Sequence, residues 1–310
     1  MAEGAATMNR AEFDSLFLEL RNWNRWGPQD ERGCLNYLTS KEVAAAASLV
    51  RNGSTVSLAH DLDVSAGPDN QKPALHYMTQ LSDIDEAEPR VNTDFVAVDY
   101  HGKSVTHLDA LCHCEFRGRL YGDVDPAGCV TSQGSTFGSV MTTAGGIVGR
   151  GVLLDVPRSR DVEWLEPGTA VLPSDLDRVA SAQDVRAGRG DIVLVRTGHR
   201  RRREALGAWD PSNFSAGLFP TAMRWLHERE IAILGSDGDN DRRPSPVEGI
   251  ASPIHALAIA GMGLLLVDNL NLEDLATVCE ELGRWEFLFV LAPLRIPGGT
   301  GSPVNPIGVF

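Results

Sequence analysis

The run Gly190-Asp-Ile-Val-Leu-Val-Arg-Thr-Gly198 decides how the rest of the chain is read. β-Branched and apolar residues fill its centre and a glycine closes each end, so residues 191–196 read as a strand. Working outward, similar runs occur at 151–156, 231–235, 264–267 and 287–291. Helical spacing is predicted between or after them at 221–230, 254–260 and 272–282. The first half has a different texture, with short β-rich runs at 55–58 and 95–98 separated by loops that contain Gly67-Pro68 and Glu88-Pro89. Hairpin-like and strand-helix-strand segments in one chain predict an α/β fold with a mixed, barrel-like β-sheet core and flanking helices. Nothing marks an internal boundary, so residues 1–310 are expected to form one domain, with 1–53 an N-terminal helical and loop extension packed on it.

That extension begins with a start expected to be mobile, then a helix in which Phe13, Leu16, Phe17 and Leu20 recur at helical spacing. Residues 23–39 are rich in turn formers and aromatics and read as an ordered loop, the kind of segment that lines sites. Thr39 and Glu42 form a capping-box pattern for an alanine-rich helix that ends before Gly53.

Composition excludes more than it names. The 43% hydrophobic and 23% charged shares are those of a globular protein. A formal net charge of -14 repels a phosphate backbone, so nucleic acid is not an expected partner, and Arg200 to Arg203 read as a solvated loop at a strand edge. No stretch approaches the roughly 20 apolar residues of a membrane span, and the N-terminus lacks a secretory pattern, so no membrane partner and a cytoplasmic location are expected. Five scattered cysteines do not form a disulfide scaffold. Neither GxGxxG nor GxxxxGK[ST] is present, which disfavours nucleotide cofactors.

The chemistry concentrates in Asp99-Tyr-His101-Gly-Lys103-Ser-Val-Thr106-His107-Leu-Asp109-Ala-Leu-Cys-His113, directly after a strand. Three of the eight histidines fall here, and imidazoles with a carboxylate are standard ligands of zinc and manganese. His107 and Asp109, two apart, share a face if strand pairing continues, and His113 fits a turn that brings the chain back. Cys112 and Cys114 flank His113 but are expected to point to other faces. The acidic run Ser236-Asp237-Gly-Asp239-Asn240-Asp241 follows a strand and lacks the EF-hand spacing, so it reads as a loop lining a site, with Asp237 a candidate to orient ligand or substrate.

The segment Thr106-His107-Leu-Asp109-Ala110-Leu-Cys-His113 resembles the second half of the signature His-x-Gly-Thr-His-x-Asp-Ala-Pro-x-His of the cyclase family, which includes kynurenine formamidase and isatin hydrolase. The resemblance extends from Trp26-Gly-Pro-Gln-Asp30-Glu-Arg-Gly33 through Gly149-Arg-Gly-Val-Leu-Leu-Asp155 to Thr300-Gly-Ser-Pro-Val-Asn-Pro306. It implies the family's swivelling β/β/α architecture and a divalent metal, zinc or manganese, held by His107, Asp109 and His113. Two departures matter. The leading histidine is replaced by Lys103, which argues for one metal, and His101 is either a substitute ligand or a substrate contact. His255 and Asp268 resemble the family's distal histidine and glutamate. The shorter aspartate coordinates differently, binds through water, or has lost the role.

What the resemblance implies is a metal-dependent hydrolase of a C-N amide, formamide, cyclic imide or lactone in a small metabolite. His113, His255 and His101 are the expected catalytic residues, and His107, Asp109, His113, His101 and Asp268 the metal ligands. Trp26, Lys103 and Asp237 are the expected substrate contacts. The alternatives are a metal-dependent cyclase or dehydratase and a degenerate binding protein on the same fold. A small-molecule substrate and a homodimer or higher oligomer are the expected partners, with the apolar tail 304–310 available to pack on a neighbour.

Overall fold

The computed structural model describes residues 6–82 and 88–310. Residues 1–5, part of the start expected to be mobile, and 83–87, in the loop before Glu88-Pro89, lie outside the described residues.

Nine strands form the main sheet: β1 (Thr55–Ser57), β2 (His107–Asp109), β3 (Ile147–Asp155), β4 (Ile192–Arg196), β5 (Ile233–Ser236), β6 (Leu265–Asp268), β7 (Glu286–Leu291), β8 (Gly301–Pro303) and β9 (Ile307–Val309). Their order across the sheet is β1-β9-β7-β3-β4-β5-β6-β2-β8, and the sheet curls into a half-barrel. The neighbours β3-β4-β5-β6 are parallel, and the remaining pairs are antiparallel. Parallel strands are covered on both faces and therefore read as continuous apolar runs, which is why every residue of β4, β5 and β6 is buried. The mixed, barrel-like core with flanking helices is thus the architecture that the strand pattern predicts.

Six helices matter for the argument: α1 (Arg10–Leu20), α2 (Ser40–Ala47), α3 (Pro173–Ala182), α4 (His199–Leu206), α5 (Ala222–Glu228) and α6 (Glu273–Leu282). Asn9 and Glu12 close a capping box on α1, and Thr39 and Glu42 close one on α2. Phe13, Leu16, Phe17 and Leu20 are all buried, each contributing roughly 1.5–3 kcal/mol. The loop after α1 docks on the turn that precedes β6. There Gly33 (φ 53°) approaches so closely that an added Cβ would lie 2.1 Å from the Gly263 carbonyl oxygen, which accepts the Cys34 N–H at 2.8 Å.

Several elements differ from expectation. The helix predicted at 254–260 is a single α-turn, Pro253–His255, that widens into a π-helix, Ala256–Met262, and ends at Gly263 in the left-handed region. Arg200 to Arg203 are not a loop but part of α4, where Arg200, Arg201 and Arg202 pair with Glu204, Glu163 and Glu166 and Arg203 pairs with Asp69. The tail predicted to pack on a neighbour instead joins its own sheet: β9 lies between β1 and β7, and Phe310 is buried. Helix α3 and the exposed hairpin Leu75–Gln80 with Thr93–Ala97 complete the fold, and only the second strand of that hairpin was anticipated. Among the described residues no helix is long and apolar enough to cross a membrane.

Candidate metal centre

Strand β2 is three residues long and sits between β6 and β8, with His107 opposite Asp268 on one side and Pro303 on the other. The two-residue period of a strand turns His107 and Asp109 to one face. Beyond Asp109 the chain reverses, with the His113 N–H donating to the Ala110 carbonyl at 2.9 Å, and this turn returns the third imidazole to the first two. His101 arrives from the turn before β2. That turn is pinned to the end of β6 by Asn269, whose amide donates to the carbonyls of Gly102 and Val105. His255 comes from the short helix after β5.

The buried Asp109 carboxylate is the meeting point. Its Oδ1 lies 2.9 Å from His101 Nδ1, 3.5 Å from His107 Nε2 and 3.8 Å from His113 Nε2, while Oδ2 lies 3.5 Å from His255 Nε2. Neither oxygen, nor His101 Nδ1, takes part in a hydrogen bond of sound geometry despite this crowding. The other ring nitrogen of three of these histidines is engaged by the chain. His107 Nδ1 donates to the Val105 carbonyl at 2.8 Å, which leaves Nε2 with its lone pair. His101 Nε2 meets Thr300 Oγ1 at 2.9 Å, and His255 Nδ1 meets Asp241 Oδ2 at 2.6 Å. One ring nitrogen turned to a shared carboxylate, with the far nitrogen fixed by the chain, is how metal-binding imidazoles are held. The donors His101, His107 and Asp109, and likewise Asp109, His113 and His255, lie close enough together to hold one ion. The residues therefore fit a divalent cation.

The electrostatics agree. Burial opposes charge on Asp109, but the imidazoles of His107, His101 and His255 outweigh it and hold the carboxyl well below the usual range. Burial likewise opposes charge on His255, yet Asp109, Asp241 and Asp268 lift its pKa well above an ordinary histidine. Burial pushes His113 down to about 4, keeping it neutral and able to ligate. The centre favours a positive charge among its carboxylates.

The other expected site residues divide. Asp268 reaches the centre from the Oδ2 side, with its own Oδ2 3.5 Å from His255 Nε2 and its Oδ1 accepting from Asn240 Nδ2 at 2.6 Å. Lys103 pairs with Asp239, which Arg243 also contacts at 2.9 Å. Beside it, His101, Lys103, Gln71, Ser104 and Ser212 help line a pocket of about 190 Å³ that shares His101 with the cluster. Cys112 and Cys114 bond to the carbonyls of Gly299 and Glu115 and stay outside the cluster.

Asp237 is a correction, and Trp26 lies apart from the cluster in this chain. Asp237 is buried, and its carboxylate accepts the N–H groups of Thr197, Gly198 and His199 and the Thr197 hydroxyl, so it caps α4 and has no lone pair aimed at a substrate. Trp26 packs edge-on against Tyr37, and the adjacent Arg25 pairs with Glu230 just before β5. That is the N-terminal edge of the parallel strands, whereas the centre lies at their C-terminal ends. The Trp23 indole is likewise spent on the Ala260 carbonyl. Asp241, which orients His255, and Asp239, which holds Lys103, lie in the acidic run the sequence singled out, but their individual roles were not anticipated.

A curled mixed sheet with a buried histidine and aspartate cluster at the ends of its parallel strands defines the class: an α/β protein with a cluster that could hold a metal ion. Residues 55–240 match the family model described as "Putative cyclase". A crystal structure described as a novel cyclase is 31% identical, with a TM-score of 0.86, and the match covers 95% of this chain and 99% of that one. The chain belongs to the cyclase family. Isatin hydrolase A from Labrenzia aggregata, bound to benzyl benzoate, shares the fold at 24% identity and a TM-score of 0.60, over 86% of this chain and 96% of that one. Isatin hydrolase A from Ralstonia solanacearum does so at 20% identity and a TM-score of 0.58, over 88% and 98%. No curated protein matches the chain by sequence.

Proposed function

We propose that this protein is a metal-dependent hydrolase that opens a C-N amide, formamide, cyclic imide or lactone bond in a small metabolite. The observation that carries the reading is the convergence of four imidazoles on the buried Asp109 carboxylate. In this reading His101, His107, His113 and Asp109 hold one cation on the Oδ1 side, and zinc or manganese suits the donor set. When bound, such a cation supplies Lewis acidity toward a carbonyl oxygen and lowers the pKa of water.

The chain's residues supply the rest. His255, on the Oδ2 side and kept protonated by the carboxylates around it, gives its Nε2 proton to the departing nitrogen or oxygen and regains one from the attacking water. Asp241 fixes its tautomer from Nδ1, and the surrounding carboxylates stabilise the imidazolium. Asp268 orients the same ring. The substrate occupies the pocket beside His101 and Lys103, whose volume suits a ring-sized molecule. Lys103 places a fixed charge near the centre, and Asp239 keeps it from competing for the ligands. This accounts for a single cation.

The test is an assay of formylated aromatic amines, isatin-like imides and lactones with protein stripped of metal and then reloaded with zinc or manganese. Ring opening or deformylation that disappears on stripping and returns on reloading supports the reading. Activity indifferent to metal, or ring closure of the open-chain acid in its place, contradicts it. The isatin hydrolases share the fold, and that likeness is the reason to begin with isatin-like imides.

A further inference from the structure

The acidic loop after β5 has a second face. Asp239 and Asp241 turn toward Lys103 and His255, but Arg242 donates from Nε to the Gly168 carbonyl at 2.7 Å and from Nη1 to the Ala6 carbonyl at 2.9 Å. Arg242 is 6% exposed, and its partners among the described residues are these carbonyls, with no carboxylate. Burial alone lowers its pKa. A buried guanidinium without a counter-charge is costly, and the cost falls when an anion arrives.

Arg242 lines a cavity of about 920 Å³ together with Arg160, Arg178, Ser174 and Asp175. Asp175 is the one carboxylate among the described residues of that wall, and it is occupied: it lies 2.7 Å from Arg160 and 3.4 Å from Arg178 and accepts the Leu172 N–H. Among the described residues of the wall three guanidinium groups face one carboxylate, a surplus of two positive charges. Arg160 Nε is buried with no hydrogen-bond partner. Ser174 belongs to the first turn of α3, whose N-terminal end adds positive potential.

We propose that this cavity binds a small dianion, a phosphate-type or dicarboxylate metabolite, through Arg242, Arg160 and Arg178. Planar guanidinium forks grip such oxyanions through paired hydrogen bonds. The site is separate from the metal centre and does not depend on the hydrolase reading.

The test is isothermal titration of the full chain with sulfate and with malonate at low ionic strength, where screening is weak. Saturable binding of one or both is expected, the preferred probe identifying the anion type. Arg242→Gln should weaken it about tenfold or more, the worth of one charge-assisted contact. Arg178→Gln, whose side chain lies on the open rim, should weaken it several-fold and cannot disturb buried packing. His107→Ala should bind as the parent does. Absence of saturable binding by either probe, unchanged affinity in both arginine variants, or loss in His107→Ala overturns the proposal.

Discussion

Asp241 touches His255 on the nitrogen that faces away from Asp109, so it acts on the ring's orientation and charge without competing for the centre. Residues in that position typically contribute 10–100-fold to metal affinity or activity. Asp241→Asn should therefore lower kcat by about 10–100-fold with little change in KM, measured on metal-replete protein. A rise in KM alone would assign Asp241 to substrate binding instead. A different histidine sets a pH dependence of stability. His60 is held down to about 4 by burial and by the Arg200 guanidinium, which donates to its Nδ1 at 2.9 Å. The folded pKa is depressed below the ordinary value of 6.5, so the unfolded chain takes up a proton that the folded one refuses. Its contribution is present above pH 6.5 and is lost as pH falls toward 4, by at most about 3 kcal/mol. In urea titrations, the stability gap between parent and His60→Gln should be widest at pH 7 and should shrink toward pH 4.

At the scale of elements, two joints carry more than their length suggests. Gly33 meets Gly263 where the N-terminal loop docks on the end of the π-helix, and its left-handed backbone and the 2.1 Å clearance both forbid a side chain. Gly33→Ala should cost about 3 kcal/mol or more, seen as a fall in Tm of roughly 5–10 °C. An unchanged Tm would mean that the loop is not held against the turn. The second joint is the cap on α4, where one carboxylate collects the N–H groups of three successive residues. Asp237→Ala should cost about 2–4 kcal/mol in chemical denaturation, since buried N–H groups lose their acceptor. If Asp237→Ala left stability intact and raised KM, Asp237 would belong to the substrate site after all.

Across the whole molecule, legibility followed how local each cause is. The central strands could be read because each is an uninterrupted apolar run, and His107, Asp109 and His113 because one strand and one turn deliver them. His255 and Asp268 were reached only through family resemblance, since they join the centre by the folding of distant segments. In sequence the tail 304–310 reads as available to a neighbour because a three-residue strand shows itself only through pairing with β1 and β7. The place of Trp26 against Tyr37 is fixed by the loop's docking, which composition does not reveal. The claim on which the account rests is that the imidazoles around Asp109 share a cation, and anomalous diffraction from crystals grown with manganese tests it most directly. A peak within about 2.0–2.3 Å of nitrogens of His101, His107 and His113 and of an Asp109 oxygen is predicted. A manganese peak bound elsewhere, or none near Asp109 at saturating metal, would contradict it.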